Sequence, residues 1–146
     1  MAEVVARAQL AKAGLGDAVV VDSAGTGDWH IGDKMNSGAR AQLVRGGYDG
    51  EAHRARQYEP SWLADRDLVL AMDHTNLKNL QSFARTDQGD SDRIRLFGDV
   101  TGLDGADVPD PYGGSPDEFA RVLALLESAM PALAAQLAEL LNPAAP

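Results

Sequence analysis

The stretch AVVVDSAGT, residues 18–26, decides the fold of this chain. Its first four residues are apolar and mostly β-branched, which is typical of a parallel strand that is covered on both faces. The five residues that follow, from Asp22 to Thr26, are small and polar, and such residues form the turn after a strand. We therefore predict a buried strand at 18–21 that ends in a loop running through Trp29 and His30.

A helix is predicted immediately before this strand. Residues 1–13 place their apolar side chains on one stripe, while Glu3, Arg7 and Lys12 lie off it. Gly14 is the expected stop, because glycine readily adopts the left-handed conformation that ends many helices. The chain thus opens on a helix rather than on a strand.

Further elements alternate along the chain. They are a helix from Asn36 or Ser37 to the glycines at 46–47, a short helix from Pro60, a buried strand at 68–72, a helix capped by Asp73 that carries Leu77, Leu80 and Phe83 inward, a polar acidic loop at 86–92, and a half-exposed strand around Ile94 and Leu96. This alternation predicts an α/β fold with a short, mostly parallel sheet flanked by helices in three layers.

The last helix has the clearest start. Ser115 is the expected N-cap, Pro116 takes the first helical position, and Glu118 completes a capping box. Apolar residues then recur at helical spacing to residue 141, and Pro131 is expected to kink the helix or to divide it. We predict one domain over residues 1–141, followed by a frayed tail at 142–146.

Composition restricts the classes of function. The 146 residues include no cysteine, and 13 basic against 22 acidic residues give a net charge of −9. This charge opposes binding to nucleic acid and to an anionic membrane surface. The apolar runs are short, which predicts neither a signal peptide nor a membrane-spanning helix. We expect a cytoplasmic protein without a cofactor.

Six short motifs point to one family. They are MAE at 1–3, SAGT at 23–26, WH at 29–30, HRARQ at 53–57, AMD at 71–73 and DPY at 110–112. In this order the motifs resemble those of the low-molecular-weight protein-tyrosine phosphatases, and the resemblance extends from residue 1 to about residue 141. Any one motif alone would be weak, whereas six in register are specific.

The resemblance implies a four-stranded parallel sheet whose first strand lies in the middle. In the family that strand ends in a phosphate loop with a nucleophilic Cys, five further residues and an Arg, and a Met-Ala-Glu follows directly. The chain thus resembles the family with its first strand and phosphate loop removed. The strands at 18–21 and 68–72 would then flank a gap of about 4.8 Å on each side. We expect self-association through these unpaired strands, or marginal stability.

The resemblance also assigns roles to five residues. Asp110 would be the general acid that protonates the tyrosine leaving oxygen, and afterwards the base that activates water. Trp29 and Tyr112 would be aromatic walls beside the substrate ring, with the alternative that they are partly buried anchors of their loops. Ser23 and His53 would support the phosphate loop from beneath, and without it they would lack hydrogen-bond partners.

Two arginines and one departure complete the comparison with the family. Arg54 and Arg56 are expected to be solvated surface residues, because the phosphate-binding Arg of the family lies in the segment without a counterpart here. The family often has a second tyrosine after the position of Tyr112, where this chain has Gly113. That departure weakens any inference about substrate preference.

Three acidic residues loosely suggest a cation site. Asp87, Asp90 and Asp92 supply oxygen ligands, yet their spacing lacks the glutamate and the ligand periodicity of a calcium loop. We therefore interpret them as a solvated acidic loop and expect no metal site.

Three functions can be weighed on these grounds. The leading hypothesis is a phosphatase that, in a longer form, dephosphorylates phosphotyrosine proteins or small aryl phosphates through a phosphocysteine intermediate, whereas the 146-residue chain is inactive. The alternative is a catalytically dead, phosphatase-like binding or regulatory protein. The arsenate-reducing branch of the fold is disfavoured because it depends on cysteines and because Asp110, Pro111 and Tyr112 are present.

Overall fold

Helices outnumber strands in the computed structural model, which describes residues 1–84 and 88–143. In chain order the elements are α1 (Ala2–Lys12), α2 (Ser37–Arg45), a 3₁₀ helix (Pro60–Asp65), β1 (Val69–Ala71), α3 (His74–Phe83), α4 (Gln88–Asp92), β2 (Ile94–Leu96), α5 (Phe97–Val100) and α6 (Pro116–Leu141). The predicted α/β fold with a short parallel sheet flanked by helices is confirmed.

The sheet consists of β1 and β2, which run parallel. Val69 lies opposite Ile94, and Ala71 lies opposite Leu96. In β2 the side chains of Ile94 and Leu96 are buried and Arg95 is exposed, as the alternating sequence predicts. A smaller apolar cluster that includes Leu63 and Leu80 covers this part of the sheet.

The predicted strand at residues 18–21 is wrong. The backbone N–H of Val19 donates to Leu15 O at 3.0 Å and closes a turn, and Val20 is 97 % exposed. The carbonyl of Val21 accepts two hydrogen bonds from the Arg7 guanidinium, at 2.8 and 2.6 Å. A strand needs a neighbour whose backbone completes the ladder, and no strand within the described ranges pairs with this segment. Apolar composition alone cannot supply that neighbour.

The main core lies between α1, α2 and α6. Its most deeply buried members come from all three helices and from α5: Val5, Leu10, Leu43, Phe97, Leu126 and Ala129. Burying a side chain of leucine size contributes about 1.5–3 kcal/mol relative to leaving it exposed. The helical layer therefore contains most of the packing that stabilises the described residues.

Local capping explains where these helices begin and end. The Asn36 side chain accepts from Gly38 N at 2.9 Å, and the Asp73 side chain accepts from Asn76 N at 2.7 Å. Ser115 forms the predicted capping box at the start of α6. Gly14 follows α1 with φ of +79°, a conformation that favours glycine. These predictions are confirmed.

Of the two outcomes expected at Pro131, a kink or a division of the helix, the structure excludes the division. The helix is not divided there but continues from Pro116 to Leu141, because its apolar stripe packs against the core on both sides of the proline. Within the described ranges, α6 is also the helix that is long and apolar enough to cross a membrane by length and composition. Its buried face, which includes Phe119 and Leu126, gives it the character of a core helix.

Two expectations in the middle of the chain are also corrected. Phe83 does not point inward but is 45 % exposed in the last turn of α3, where its ring stacks on Tyr58 at 6.5 Å. The predicted acidic loop contains a short helix, α4, which brings Asp90 within one turn of Arg93. The remainder of that loop, including Asp87, lies outside the described residues, as does the end of the tail at 144–146.

Candidate functional site

The site lies at the carboxyl end of β1, where α/β folds usually bind their ligands. Strand β1 ends at Ala71, and the carbonyl of Met72 accepts a hydrogen bond from Val108 N at 2.8 Å. This bond draws the loop at 107–115 over the end of the sheet. The backbone N–H of His74, at the start of α3, donates to Asp107 Oδ1 at 3.1 Å and fixes the beginning of the same loop.

Asp110 lies on the exposed part of this loop. Its Oδ1 accepts a hydrogen bond from Tyr112 N at 3.0 Å, which is an Asx turn. Gly114 N donates to Pro111 O at 2.8 Å, and Gly113 has a φ of +74°, so the chain turns tightly just after the carboxylate. The loop thus presents an exposed carboxylate in a defined orientation, as proton transfer to an outside group requires.

The two predicted aromatic walls are both exposed. Trp29 is 77 % exposed and Tyr112 is 65 % exposed, so the alternative that they are partly buried anchors is wrong. The Trp29 indole lies over Gly27, where a Cβ atom would be 2.2 Å from the ring. The His30 and Tyr112 ring centroids are 6.0 Å apart. The loop carrying Trp29 therefore lies beside the loop carrying Asp110.

Ser23 and His53 meet at the first turn of α1. The Ser23 hydroxyl donates to Glu3 Oε2, and His53 Nδ1 lies 3.3 Å from the same oxygen. Arg7 Nη2 lies 2.9 Å from the other oxygen, Glu3 Oε1. The expectation that Ser23 and His53 would lack partners is wrong, because Glu3 satisfies both. Sequence reasoning missed this role, although the four-residue spacing of Glu3 and Arg7 is that of a helical ion pair.

Burial controls the protonation of this network. It lowers the pKa of His53, an effect that Glu3 opposes and that the positive amino terminus reinforces. Burial also lowers the pKa of the Met1 amino group, again against the attraction of Glu3. Desolvation outweighs the attraction of Glu3 in both cases, so both pKa values shift in the direction of the neutral form.

A second charged cluster lies beside the segment at 19–24. Burial opposes ionisation of Asp22, but hydrogen bonds from Arg66 and Arg56 outweigh it and hold the pKa of Asp22 below its ordinary value. The Arg56 and Arg66 guanidinium groups also lie over the Trp62 ring, at 4.8 and 5.0 Å from its centroid respectively. Arg54 is a surface residue as predicted, whereas Arg56 is fixed by Asp22 and Trp62 and is not merely solvated.

An open cavity of 630 Å³ separates α1 from the loop at 47–56. The charged residues that line it have both signs: Glu3, Asp22 and Asp49 are acidic, and Arg7, Arg54 and Arg56 are basic. No cluster of three or more metal-ligating side chains occurs in the part of the chain that the structure describes. Of the acidic residues considered above, Asp90 is paired with Arg93.

Comparison with known proteins assigns the family. The profile of the family described as low molecular weight phosphotyrosine protein phosphatase matches residues 1–142. The low molecular weight protein-tyrosine-phosphatase of Streptomyces coelicolor is 43 % identical over 143 residues, which cover 95 % of this chain and 85 % of that protein.

Solved structures agree with the sequence relatives. A protein tyrosine phosphatase from Entamoeba histolytica, with Hepes in its active site, superposes with a TM-score of 0.86 and 29 % identity, over 94 % of this chain and 87 % of that one. YfkJ from Bacillus subtilis superposes with a TM-score of 0.82 and 34 % identity, over 94 % and 85 %. The chain therefore belongs to the low molecular weight phosphotyrosine protein phosphatase family.

Proposed function

We propose that this protein dephosphorylates phosphotyrosine in proteins, or small aryl phosphates, in a form that carries the family's cysteine and arginine ahead of Met1. The observation that carries the proposal is the pairing of two loops at the end of β1, one with the exposed Asp110 carboxylate and the other with the exposed Trp29 indole. The family membership supplies the class of reaction.

In the proposed reaction a cysteine thiolate attacks phosphorus and the bond to the aryl oxygen breaks. Asp110 gives its proton to that oxygen, and the neutral phenol leaves between the walls formed by Trp29 and Tyr112. A water molecule then attacks the phosphocysteine, Asp110 takes a proton from it, and inorganic phosphate and the thiolate are released. The arginine offsets the charge on the phosphoryl oxygens throughout.

The 146-residue chain lacks part of this machinery. It contains no cysteine, and Asp110 cannot substitute for a thiolate, an arginine and a cradle of backbone N–H groups. In the structure, Glu3 holds Ser23 and His53, the two residues that the family uses beneath its phosphate loop. We infer that the chain alone hydrolyses aryl phosphates at the background rate.

The test combines the intact mass of the protein purified from its own cells with an assay on a phosphotyrosine peptide. A mass above 15.4 kDa together with turnover supports the proposal. In the active form, Asp110→Asn is expected to lower kcat by about 10²–10⁴-fold. The matched control is Asp117→Asn, which neutralises an exposed aspartate of α6 and leaves kcat unchanged. An Asp110→Asn variant with full kcat would refute the assignment of the acid.

A second candidate is a phosphatase-like binding or regulatory protein without catalysis. The observation that favours it is the absence of cysteine in a chain whose aromatic walls remain exposed. Titration with a phosphotyrosine peptide would distinguish the two functions: saturable quenching of Trp fluorescence without turnover by the protein from its own cells supports the binding function. Turnover by that protein supports the enzyme.

Self-association through the sheet is part of the same proposal. Val20 is 97 % exposed, and the sheet that the structure describes has only the two strands β1 and β2. An apolar segment with an exposed residue and no strand beside it can pair with a strand of another copy. Sedimentation velocity of the 146-residue chain is expected to show dimers or larger species that increase with concentration. A strict monomer with a sharp, concentration-independent melting transition would contradict this.

A further inference from the structure

The two loops of the candidate site meet through His30. The His30 ring lies beside the Tyr112 ring, with centroids 6.0 Å apart and planes inclined by 48°. Tilted aromatic pairs at this separation attract one another. Within the described ranges, this is the ring contact that joins the loop at 27–33 to the loop that carries Asp110.

His30 contacts a residue whose backbone is hydrogen-bonded to the segment at 53–57. Its Nδ1 lies 3.2 Å from Asp33 Oδ2. The backbone around Asp33 is fixed by two hydrogen bonds to Ala55, from Gly32 N to Ala55 O at 2.8 Å and from Ala55 N to Asp33 O at 2.9 Å. The imidazole thus contacts Asp33, whose backbone is hydrogen-bonded to Ala55, and it also contacts the Tyr112 ring.

Tyr112 links the position of the His30 ring to the orientation of the Asp110 carboxylate. Its backbone N–H donates to Asp110 Oδ1 at 3.0 Å, so a displacement of Tyr112 breaks or redirects the Asx turn that orients Asp110. The anchors at the start of this loop are Asp107 and Val108, which form hydrogen bonds with His74 N and Met72 O. Beyond those anchors, Tyr112 is where the neighbouring loop touches the segment.

We propose that His30 is a positioning residue for Asp110, acting through Tyr112 with Asp33 as its support. The proposal rests on the proposed function, since Asp110 must be the proton donor for its position to matter. General acid catalysis needs the donor within hydrogen-bond reach of the leaving oxygen. A displacement of about 1 Å can lower a rate by about 10²-fold. An exposed pair such as His30 and Asp33 contributes little to the stability of the fold. Its proposed role is instead to hold the His30 ring in place against Tyr112.

The first part of the test uses the 146-residue chain and does not need activity. In NMR spectra, His30→Ala is expected to shift the ring and amide resonances of Tyr112 and to increase hydrogen exchange at its amide by about tenfold. Asp33→Asn should produce smaller shifts of the same residues. Asp28→Asn, the same substitution in the same loop at a carboxylate that does not contact His30, is the matched control and should leave Tyr112 unchanged.

The second part uses the active form and two substrates. Phenyl phosphate has a poor leaving group that needs a proton, whereas 4-nitrophenyl phosphate has a good one that needs it much less. His30→Ala is expected to lower kcat/KM, which reports the step in which the aryl oxygen leaves, by about tenfold for phenyl phosphate and by less than about twofold for 4-nitrophenyl phosphate. His30→Phe, which keeps a ring against Tyr112, should recover most of the loss.

The outcomes separate this inference from the proposed function. Equal losses of kcat/KM on the two substrates would assign His30 to the substrate wall and overturn the positioning role. Unchanged Tyr112 resonances in His30→Ala would also overturn it. An active form in which Asp110→Asn retains full kcat on phenyl phosphate would instead refute the proposed acid, whatever His30 does.

Discussion

The helical half and the sheet half of this protein are held together by different means. Helices α1, α2 and α6 share one apolar core, and their ends are capped by their own neighbouring residues. The sheet has two strands of three residues each, and the apolar segment before the loop at 22–33 has no strand beside it among the described residues. Packing between helices can be completed within the chain, whereas a sheet requires a backbone partner at every edge that is not exposed to water.

This contrast shows that an apolar residue contributes more to stability where other residues cover it than where it is exposed. Leu126 is 1 % exposed in α6, and Val20 is 97 % exposed in a segment of equally apolar character. The stabilisation gained from an apolar residue depends on what covers it.

The largest expected effect tests this contrast directly. Leu126→Ala removes a side chain from the shared core and is expected to lower the free energy of unfolding by about 3 kcal/mol. Val20→Ala, its control at an exposed position, should change it by less than about 0.5 kcal/mol at protein concentrations where the chain is monomeric. Urea denaturation followed by circular dichroism measures both. A similar loss in the two variants would show that Val20 is covered in solution.

A smaller effect is expected at the polar network that Glu3 forms with Ser23 and His53. Glu3→Ala removes the acceptor of Ser23 and His53 and should lower the free energy of unfolding by about 2 kcal/mol. Glu51→Ala, which breaks exposed pairs with Lys34 and Arg40, should cost less than about 1 kcal/mol. Thermal and urea denaturation measure both variants, and an equal loss of unfolding free energy in Glu3→Ala and Glu51→Ala would contradict the role given to Glu3.

The capping of α6 should contribute about half as much. Ser115→Ala removes the side-chain acceptor of the capping box and is expected to cost about 1 kcal/mol. Ser128→Ala is the matched control in the middle of the same helix, where the hydroxyl bonds only to Leu125 O and alanine is the better helix former. A lower melting temperature for Ser128→Ala than for Ser115→Ala would refute the importance of the cap.

The smallest effect is a dependence on pH. Because burial lowers the pKa of His53, the unfolded chain binds a proton below about pH 6.5 that the folded chain resists. The free energy of unfolding should therefore fall as the pH is lowered from 7 towards 5.5, with His53 contributing to the slope. His53→Gln should show a flatter dependence in urea titrations at each pH. An unchanged or steeper slope would mean that Glu3, not burial, dominates.

Much of the helical half could be predicted from sequence because its signals are local. Asn36 and Ser115 set the starts of α2 and α6, and the stripe of α1 is visible in the first thirteen residues of the chain. The segment at 18–21 could not be judged in the same way. Its composition is that of a strand, but pairing depends on residues elsewhere, and composition does not reveal whether a partner is present.

The candidate site divides along the same line. The family motifs identified Asp110, Trp29 and Tyr112 as candidates, but whether the two aromatic side chains are exposed walls or partly buried anchors could be decided only from the structure. The partners of Ser23 and His53 could not be read from the motifs, although Glu3 belongs to one of them, because Glu3 lies on another element and the contacts form only in the folded chain. The contact between His30 and Tyr112 joins loops about eighty residues apart, and such contacts are visible only in the folded chain.

The most direct test of the central proposal, that this chain supplies the acid and the aromatic walls but no nucleophile, is the rate of phosphotyrosine hydrolysis by the purified 146-residue chain beside its Asp110→Asn variant. We expect both to match the buffer blank. Turnover by the chain at rates typical of an enzyme, abolished in Asp110→Asn, would contradict the proposal and would require a nucleophile other than cysteine.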